Sequence, residues 1–373
     1  MLLLDRQETI PLEFDATGKQ GSSCLAALGP SSANKIERQK IERILDKYVP
    51  VVHEPSIGCT DLMEYTIEVI STRPTKQKYY PVSQKVEKIM HSHVKQMDDD
   101  IIEPSNSSWS SPVFMVKKGE DKYGFCVDYG KLNKVNKCSA RPMPHMDTIL
   151  RQLRNAEYVS TIVLSMAFNQ VPVRLEHRHN MALTVPKLGL FQFKRMPFGL
   201  SGSPGTFQSL MDKKLGPDLE PRAFCYLDDI IIVSDTSQEH MELLKEVLKR
   251  LSKAGLTINR EKCHFCREEV HFLENLVNED GYKPDPKKVA PIVQYSRPKT
   301  LNKLRSFLGA ASWYRKFIAN FAAIAEPLTA LMRKNAKYIW TEDQDRTFNK
   351  LKALMASALI LPRPEPGDDR FVI

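Results

Sequence analysis

Residues 224–233 read Phe-Cys-Tyr-Leu-Asp-Asp-Ile-Ile-Ile-Val, and no other stretch narrows the possible fold as much. Two apolar runs, the second rich in β-branched residues, flank Tyr226-Leu227-Asp228-Asp229 and predict a β-hairpin with its tight turn at the acidic pair. Adjacent carboxylates in a buried setting repel each other unless a cation neutralises them, so the pair calls for a hard divalent metal. A Tyr-x-Asp-Asp tetrapeptide arises by chance in roughly one chain in thirty of this length at average composition, so alone it also reads as a polar turn. The apolar strand downstream weighs against that reading, because it would hold the turn rigidly at a sheet edge.

With 373 residues the chain has room for two or three lobes. A content of 42% hydrophobic and 27% charged residues excludes wholesale disorder. No run approaches the ~18 apolar residues of a membrane span, and the start, MLLLDRQETIPLEF, does not read as a secretory signal. Seven cysteines, odd and sparse, point to reduced thiols and an intracellular setting, cytoplasm or nucleus alike.

The formal charge of +9 is unevenly spread. From Lys283 to Lys337 there are twelve Lys or Arg against Asp285 and Glu326, so that segment alone carries +10. Within it Thr300 is a predicted N-cap, and Leu301, Leu304, Leu308 and Ala311 recur at helical spacing. Lys303, Arg305, Arg315 and Lys316 fall between them and should face solvent, with Trp313, Tyr314 and Phe317 interleaved. A solvated helical face and a lobe that grips a nucleic-acid backbone both fit this pattern.

Elsewhere the chain alternates irregularly between strand and helix, an α+β pattern without repeats. Residues 1–35 read as a lead-in, Lys35–Tyr48 as a helix, Tyr65–Ile70 as an extended run and Val82–Met97 as a helix. Two strands are expected at Val113–Val116 and Phe125–Val127, with Lys117-Lys118-Gly119 in the turn between them. Met146–Leu153 is a short helix, and Ser237 should cap a strong one that Gly255 ends. A final helical part breaks at Pro362, Pro364 and Pro366. Cys263-His-Phe-Cys266 has no second ligand pair at zinc spacing and reads as two reduced cysteines in a hairpin.

From about Cys59 onward the sequence resembles the reverse transcriptase region of gypsy-type long-terminal-repeat retrotransposon polyproteins. Five stretches carry the likeness in matching order: Ile102-Glu-Pro-Ser with Trp109-Ser-Ser-Pro112; Phe125-Cys-Val-Asp-Tyr129 with Lys131-Leu-Asn133; Phe193-Lys-Arg-Met-Pro-Phe-Gly-Leu200 with Thr206-Phe-Gln208; Tyr226-Leu-Asp-Asp229; and Leu304-Arg-Ser-Phe-Leu-Gly309 with Trp313-Tyr-Arg315. The resemblance implies a right-hand polymerase. Residues 1–76 would be lead-in and first helix, and 77–282 fingers and palm. Fingers would lie near 77–146 and 171–195, palm near 147–170 and 196–282. The basic helical thumb would span 283–345, and 346–373 would begin a connection or ribonuclease H-like region.

The same resemblance implies nucleotidyl transfer from a dNTP onto a primer paired to an RNA or DNA template, carried by two magnesium ions. In the family three carboxylates hold those ions: Asp228, Asp229 and one aspartate on a neighbouring strand. That strand reads Ser160-Thr-Ile-Val-Leu-Ser-Met-Ala-Phe-Asn-Gln170, and the position of the third aspartate is Val163. No acidic residue between Val159 and Gln170 substitutes for it. Gly124 and Gly130 stand where the family has arginines, the first of which would clamp the triphosphate. Glu274 stands where a glycine lets a hairpin approach the primer.

By resemblance, Lys117 or Lys118, Ala167, Phe168 and Phe198 would face the nucleotide. Tyr226, Gln208, Glu274, Lys303, Arg305, Arg315 and Lys316 would face the template-primer. The expectation is a reverse transcriptase relative, binding nucleic acid and no membrane, whose polymerase activity is very weak or absent. An active retrotransposon polymerase and a non-catalytic nucleic-acid-binding derivative are the alternatives, and no oligomeric state is read from the sequence. Ribonuclease, protease and integrase activities are not expected.

Overall fold

The computed structural model describes residues 35–48, 57–70, 73–97, 100–118, 123–137, 141, 143–153, 157–357 and 361–362. Helices α1 (Lys35–Tyr48) and α2 (Gln84–Met97) precede a five-stranded sheet. Its strands are β1 (Ile102–Pro104), β2 (Ser111–Lys117), β3 (Tyr123–Val127), β5 (Leu183–Val185) and β6 (Gly189–Phe193), in the order β1-β6-β5-β2-β3. Short helices α3 (Gly130–Val135) and α4 (Met146–Gln152) lead out of it.

A second sheet, ordered β7-β8-β4-β9, joins β4 (Tyr158–Val163), β7 (Ala223–Tyr226), β8 (Asp229–Ser234) and β9 (His264–Arg267). Strand residues alternate between its faces. Ile162, Ile230 and Ile232 enter a core shared with α5 (Ser203–Leu215) and α6 (Ser237–Lys253). Val159, Ile231 and Val233 enter a second core, shared with a third sheet and the C-terminal helices. That third sheet is β10 (Val270–Phe272), β11 (Asn275–Asn278), β12 (Gly281–Pro284) and β13 (Leu361–Pro362), and the helices are α7 (Pro286–Val293), α8 (Leu301–Trp313), α9 (Phe321–Ala330) and α10 (Glu342–Ala356). The acidic turn thus sits at the end of a sheet packed on both faces.

Helix ends follow local chemistry. Thr300 caps α8, accepting from Lys303 N–H as expected. The cap of α6 is Thr236, which accepts from Glu239 N–H, and not Ser237, which is already helical. At its other end Gly255 has φ +68°, and the amides of Gly255 and Leu256 donate to Ser252 and Leu251, a Schellman closure. A side chain there would collide with the Cys59 carbonyl, 2.4 Å from an ideal Cβ.

Several expectations shift. α2 begins at Gln84, two residues late. Tyr65–Ile70 forms no continuous strand and makes single bridges, Tyr65 to Val173 and Val69 to Asn136. Strands β2 and β3 are longer than expected, so Lys117 ends β2 opposite Tyr123 instead of lying in the turn, whose residues 119–122 are outside the described set. Cys263 and Cys266 are buried thiols in no disulfide, and they lie just before and within β9, which pairs with β4, instead of in a local hairpin. Pro362 pairs with Gly281 at the end of β13, whereas residues 1–34, Pro364 and Pro366 lie outside the described residues.

The junction of β4 with α6 is polar and sealed. His240 is fully buried, with Ser160 Oγ 2.6 Å from Nε2 and Ser234 Oγ 2.9 Å from Nδ1. Ser234 donates to the Thr236 carbonyl, so it accepts from Nδ1–H, and Ser160 donates to Nε2. Burial holds the ring neutral, with its pKa lowered to about 4. The unfolded chain takes up that proton near pH 6.5, so stability is complete above that value and falls as pH drops toward about 4. Denaturant titrations should show a loss of about 3 kcal/mol across this window from His240 alone. A His240→Gln variant should give a flatter profile whatever its stability at neutral pH.

Candidate functional site

β7 and β8 pair with Tyr226 opposite Asp229, so the two turn residues are Leu227 and Asp228, and Asp229 opens the second strand. The turn is therefore one residue earlier than the acidic pair itself. Leu227 has φ +57° and Asp228 is not in that region, the pattern of a type II′ turn. Glycine is usual at the first position, and a leucine held at positive φ there costs about 1–3 kcal/mol. Its backbone is tied on both sides: Leu227 N–H donates to Gln208 Oε1 at 2.8 Å, and the Cys225 thiol donates to the Leu227 carbonyl at 3.2 Å.

Asp228 and Asp229 are half-buried. Burial raises the Asp228 pKa, and burial followed by the charge of Asp228 raises that of Asp229 to about 6. On the neighbouring strand, Val163 lies directly opposite Asp229. Cross-strand partners share a face with Cβ atoms about 4.5–5.5 Å apart, so the isopropyl group occupies the spot from which a third carboxylate would reach the pair. The Val163 backbone is well held: its N–H donates to Cys263 Sγ at 3.4 Å and its carbonyl accepts from Asn259 N–H at 2.8 Å. Burial pushes the Cys263 thiol up to about 12, so the sulfur beside Val163 is neutral.

The other expected site residues divide. Ala167 and Phe168 are buried just beyond β4, and the Phe168 ring lies 4.6 Å from Phe198 and 5.6 Å from Phe207. Lys117 and Lys118 are exposed at the end of β2, and Gly124 is buried opposite Val116. Gln208, expected at the template, is instead only 1% exposed and faces the back of the acidic turn. Tyr226 is half-buried against the second core.

Glu274 has φ +63° in the two-residue turn Leu273-Glu274, a position that favours glycine, and its carboxylate pairs with Lys288 at 3.2 Å. Lys303, Arg305 and Arg315 are exposed as expected, and Trp313 is 58% exposed beside them. Lys316 is exposed as well, but its ammonium is engaged: it pairs with Asp147 of α4 and lies 5.2 Å over Tyr282 and 5.1 Å over Phe317.

The contacts of Gln170, of Cys263 and of Gln208 with the turn were not foreseen. For Gln208 a signal existed, since Asp212 follows it at the i,i+4 spacing of a helical pair, and its Nε2 does donate to Asp212 Oδ1 at 2.8 Å.

Residues 115–274 match the reverse transcriptase (RNA-dependent DNA polymerase) family. The Pol polyprotein of transposon 297 from Drosophila melanogaster is 35% identical over 91% of this chain and 33% of its own length. That of transposon gypsy, from the same organism, is 34% identical over 80% of the chain and 31% of its length. The chain belongs with the reverse transcriptase regions of gypsy-type retrotransposon polyproteins. Its fold agrees: a foamy viral protease-reverse transcriptase solved with double-stranded DNA superposes with a TM-score of 0.82 at 25% identity, covering 91% of this chain and 71% of that one. This reverse transcriptase region spans about a third of the length of the curated relatives it matches.

Proposed function

We propose that this reverse transcriptase region binds a primer-template duplex and has lost most or all of its capacity to extend it. The register that sets Val163 across from Asp229 carries this reading. Two half-buried carboxylates with raised pKa values suit one hard divalent cation. They do not suit the family's pair of magnesium ions. The third donor is a hydrocarbon, and among the described residues no three His, Cys, Asp or Glu side chains are arranged to hold a metal.

On this reading the five-stranded sheet is the fingers, the β7-β8-β4-β9 sheet the palm, and α7 to α9 the thumb. The fingers keep Lys117 and Lys118 as cations for an incoming triphosphate, but Gly124 offers no clamp. The thumb keeps a basic surface at Lys303, Arg305 and Arg315, in line with the duplex bound by the foamy viral relative. Binding therefore outlives chemistry.

Duplex binding followed across a salt series tests the reading. The logarithm of affinity should fall linearly with the logarithm of salt. Replacing Lys303, Arg305 and Arg315 by alanine should flatten that slope by about 3, near 0.9 for each phosphate no longer neutralised. Lys316→Ala should leave the slope unchanged, since its charge is already spent on Asp147. No duplex binding at low salt, or robust primer extension by the natural chain, would overturn the proposal.

A further inference from the structure

We propose that Gln208 is a positioning residue that clamps the acidic turn and so sets where Asp228 and Asp229 point. Its carboxamide sits behind the turn with both ends used. Oε1 accepts from Leu227 N–H at 2.8 Å, while Nε2 donates to the Cys225 carbonyl at 3.0 Å and to Asp212 Oδ1 at 2.8 Å. Asp212 is exposed and fixes which way the amide faces, since a carboxylate accepts only from the NH2 end.

The residue being held is the one that needs holding. Leu227, at φ +57°, is the strained first member of the turn, and Asp228 and Asp229 follow it directly. Released from Gln208, Leu227 would relax toward negative φ and swing both carboxylates away from their present direction. Strain at such a residue persists only where the surroundings over-determine it. Here three hydrogen bonds through one buried side chain and the Cys225 thiol do so. The inference rests on the reading of the turn as what remains of a cation site.

Hydrogen–deuterium exchange across residues 223–231 of the full chain, read beside a Mn2+ titration followed by electron paramagnetic resonance, tests it. Gln208→Leu should speed exchange in the turn and weaken Mn2+ binding, each by about tenfold, the worth of one or two buried hydrogen bonds. Exchange in α6 should not change. Adding Leu227→Gly should recover most of both losses, because glycine takes positive φ without help. Unchanged turn exchange in Gln208→Leu, equal acceleration in α6, or no recovery with Leu227→Gly would each overturn the proposal.

If Gln208→Leu does not fold, the surface change Asp212→Ala takes its place, with an expected loosening of about two- to threefold from one weakened hydrogen bond; unchanged exchange there overturns the clamp. If the natural chain takes up no Mn2+ yet Gln208→Leu loosens the turn and Leu227→Gly restores it, the clamp stands and the cation reading of the turn fails.

Discussion

The Val163→Asp, Gly124→Arg double variant should extend a primer on a homopolymer template with Mg2+ at least about 100-fold faster than the natural chain. Losing a single preorganised hydrogen-bond donor at an active site already costs about 10²–10³ in rate, and a carboxylate that reaches both ions is worth no less. Position 163 is ready to receive it. Val163 is half-exposed, belongs to neither core, and has its backbone fixed by Cys263 and Asn259, so a side chain of similar size can be exchanged without moving β4.

The restored aspartate would crowd two carboxylates whose pKa values are already raised. The variant should therefore be less stable without divalent cation and gain thermal stability on adding Mg2+, whereas the natural chain gains little. At 124 an arginine replaces a glycine inside β3, a place where glycine weakens a strand. The single Val163→Asp change should recover part of the rate, since on the proposed reading both positions serve the same step and their effects need not add. A folded double variant no faster than the natural chain would sink the account.

The largest effect on stability is expected at Gln170. This side chain is fully buried where β4 gives way to the segment carrying Ala167 and Phe168. Its Nε2 donates to the Ser165 carbonyl and, at 2.9 Å, to the Thr257 carbonyl, while Oε1 accepts from Thr257 N–H at 2.7 Å. Its own carbonyl accepts from Thr60 N–H at 2.9 Å. One residue thus fastens its own segment to two distant stretches.

Gln170→Leu keeps the volume and removes every side-chain hydrogen bond, leaving Thr257 N–H without its acceptor and stripping the Ser165 carbonyl of this donor. Buried polar groups left unpaired cost about 1–3 kcal/mol each, so a loss of about 2–4 kcal/mol in urea unfolding is expected. Gln170→Glu, which keeps the acceptor for Thr257 N–H but turns a donor into a second acceptor facing two carbonyls, should fare no better. A change below about 0.5 kcal/mol, the size of an ordinary surface substitution, would show that the junction is not held this way.

Strands, helices and the acidic hairpin were legible because each obeys a short-range rule. Two short apolar runs about an acidic turn mark β7 and β8, a threonine followed by apolar residues at helical spacing marks α8, and glycine marks the end of α6. The same rules misplace ends by a residue or two, as at Thr236 and at Leu227-Asp228, because two adjacent residues can each satisfy the local pattern. The place of Val163 was legible too, since a motif written in fixed register can be counted without coordinates, and the structure sets that valine opposite Asp229.

Read residue by residue, the chain already carried the marks of its family, its α+β polymerase fold and its acidic turn. Which side chains are already engaged emerged from the folded chain alone. Gln208 reaches the turn across 19 residues of chain, Gln170 meets Thr257 across 87, and Lys316 meets Asp147 across 169. The physical reason is that a polar side chain bonds to whatever the folded chain brings within about 3 Å, and no local pattern records a partner that packing delivers from so far away.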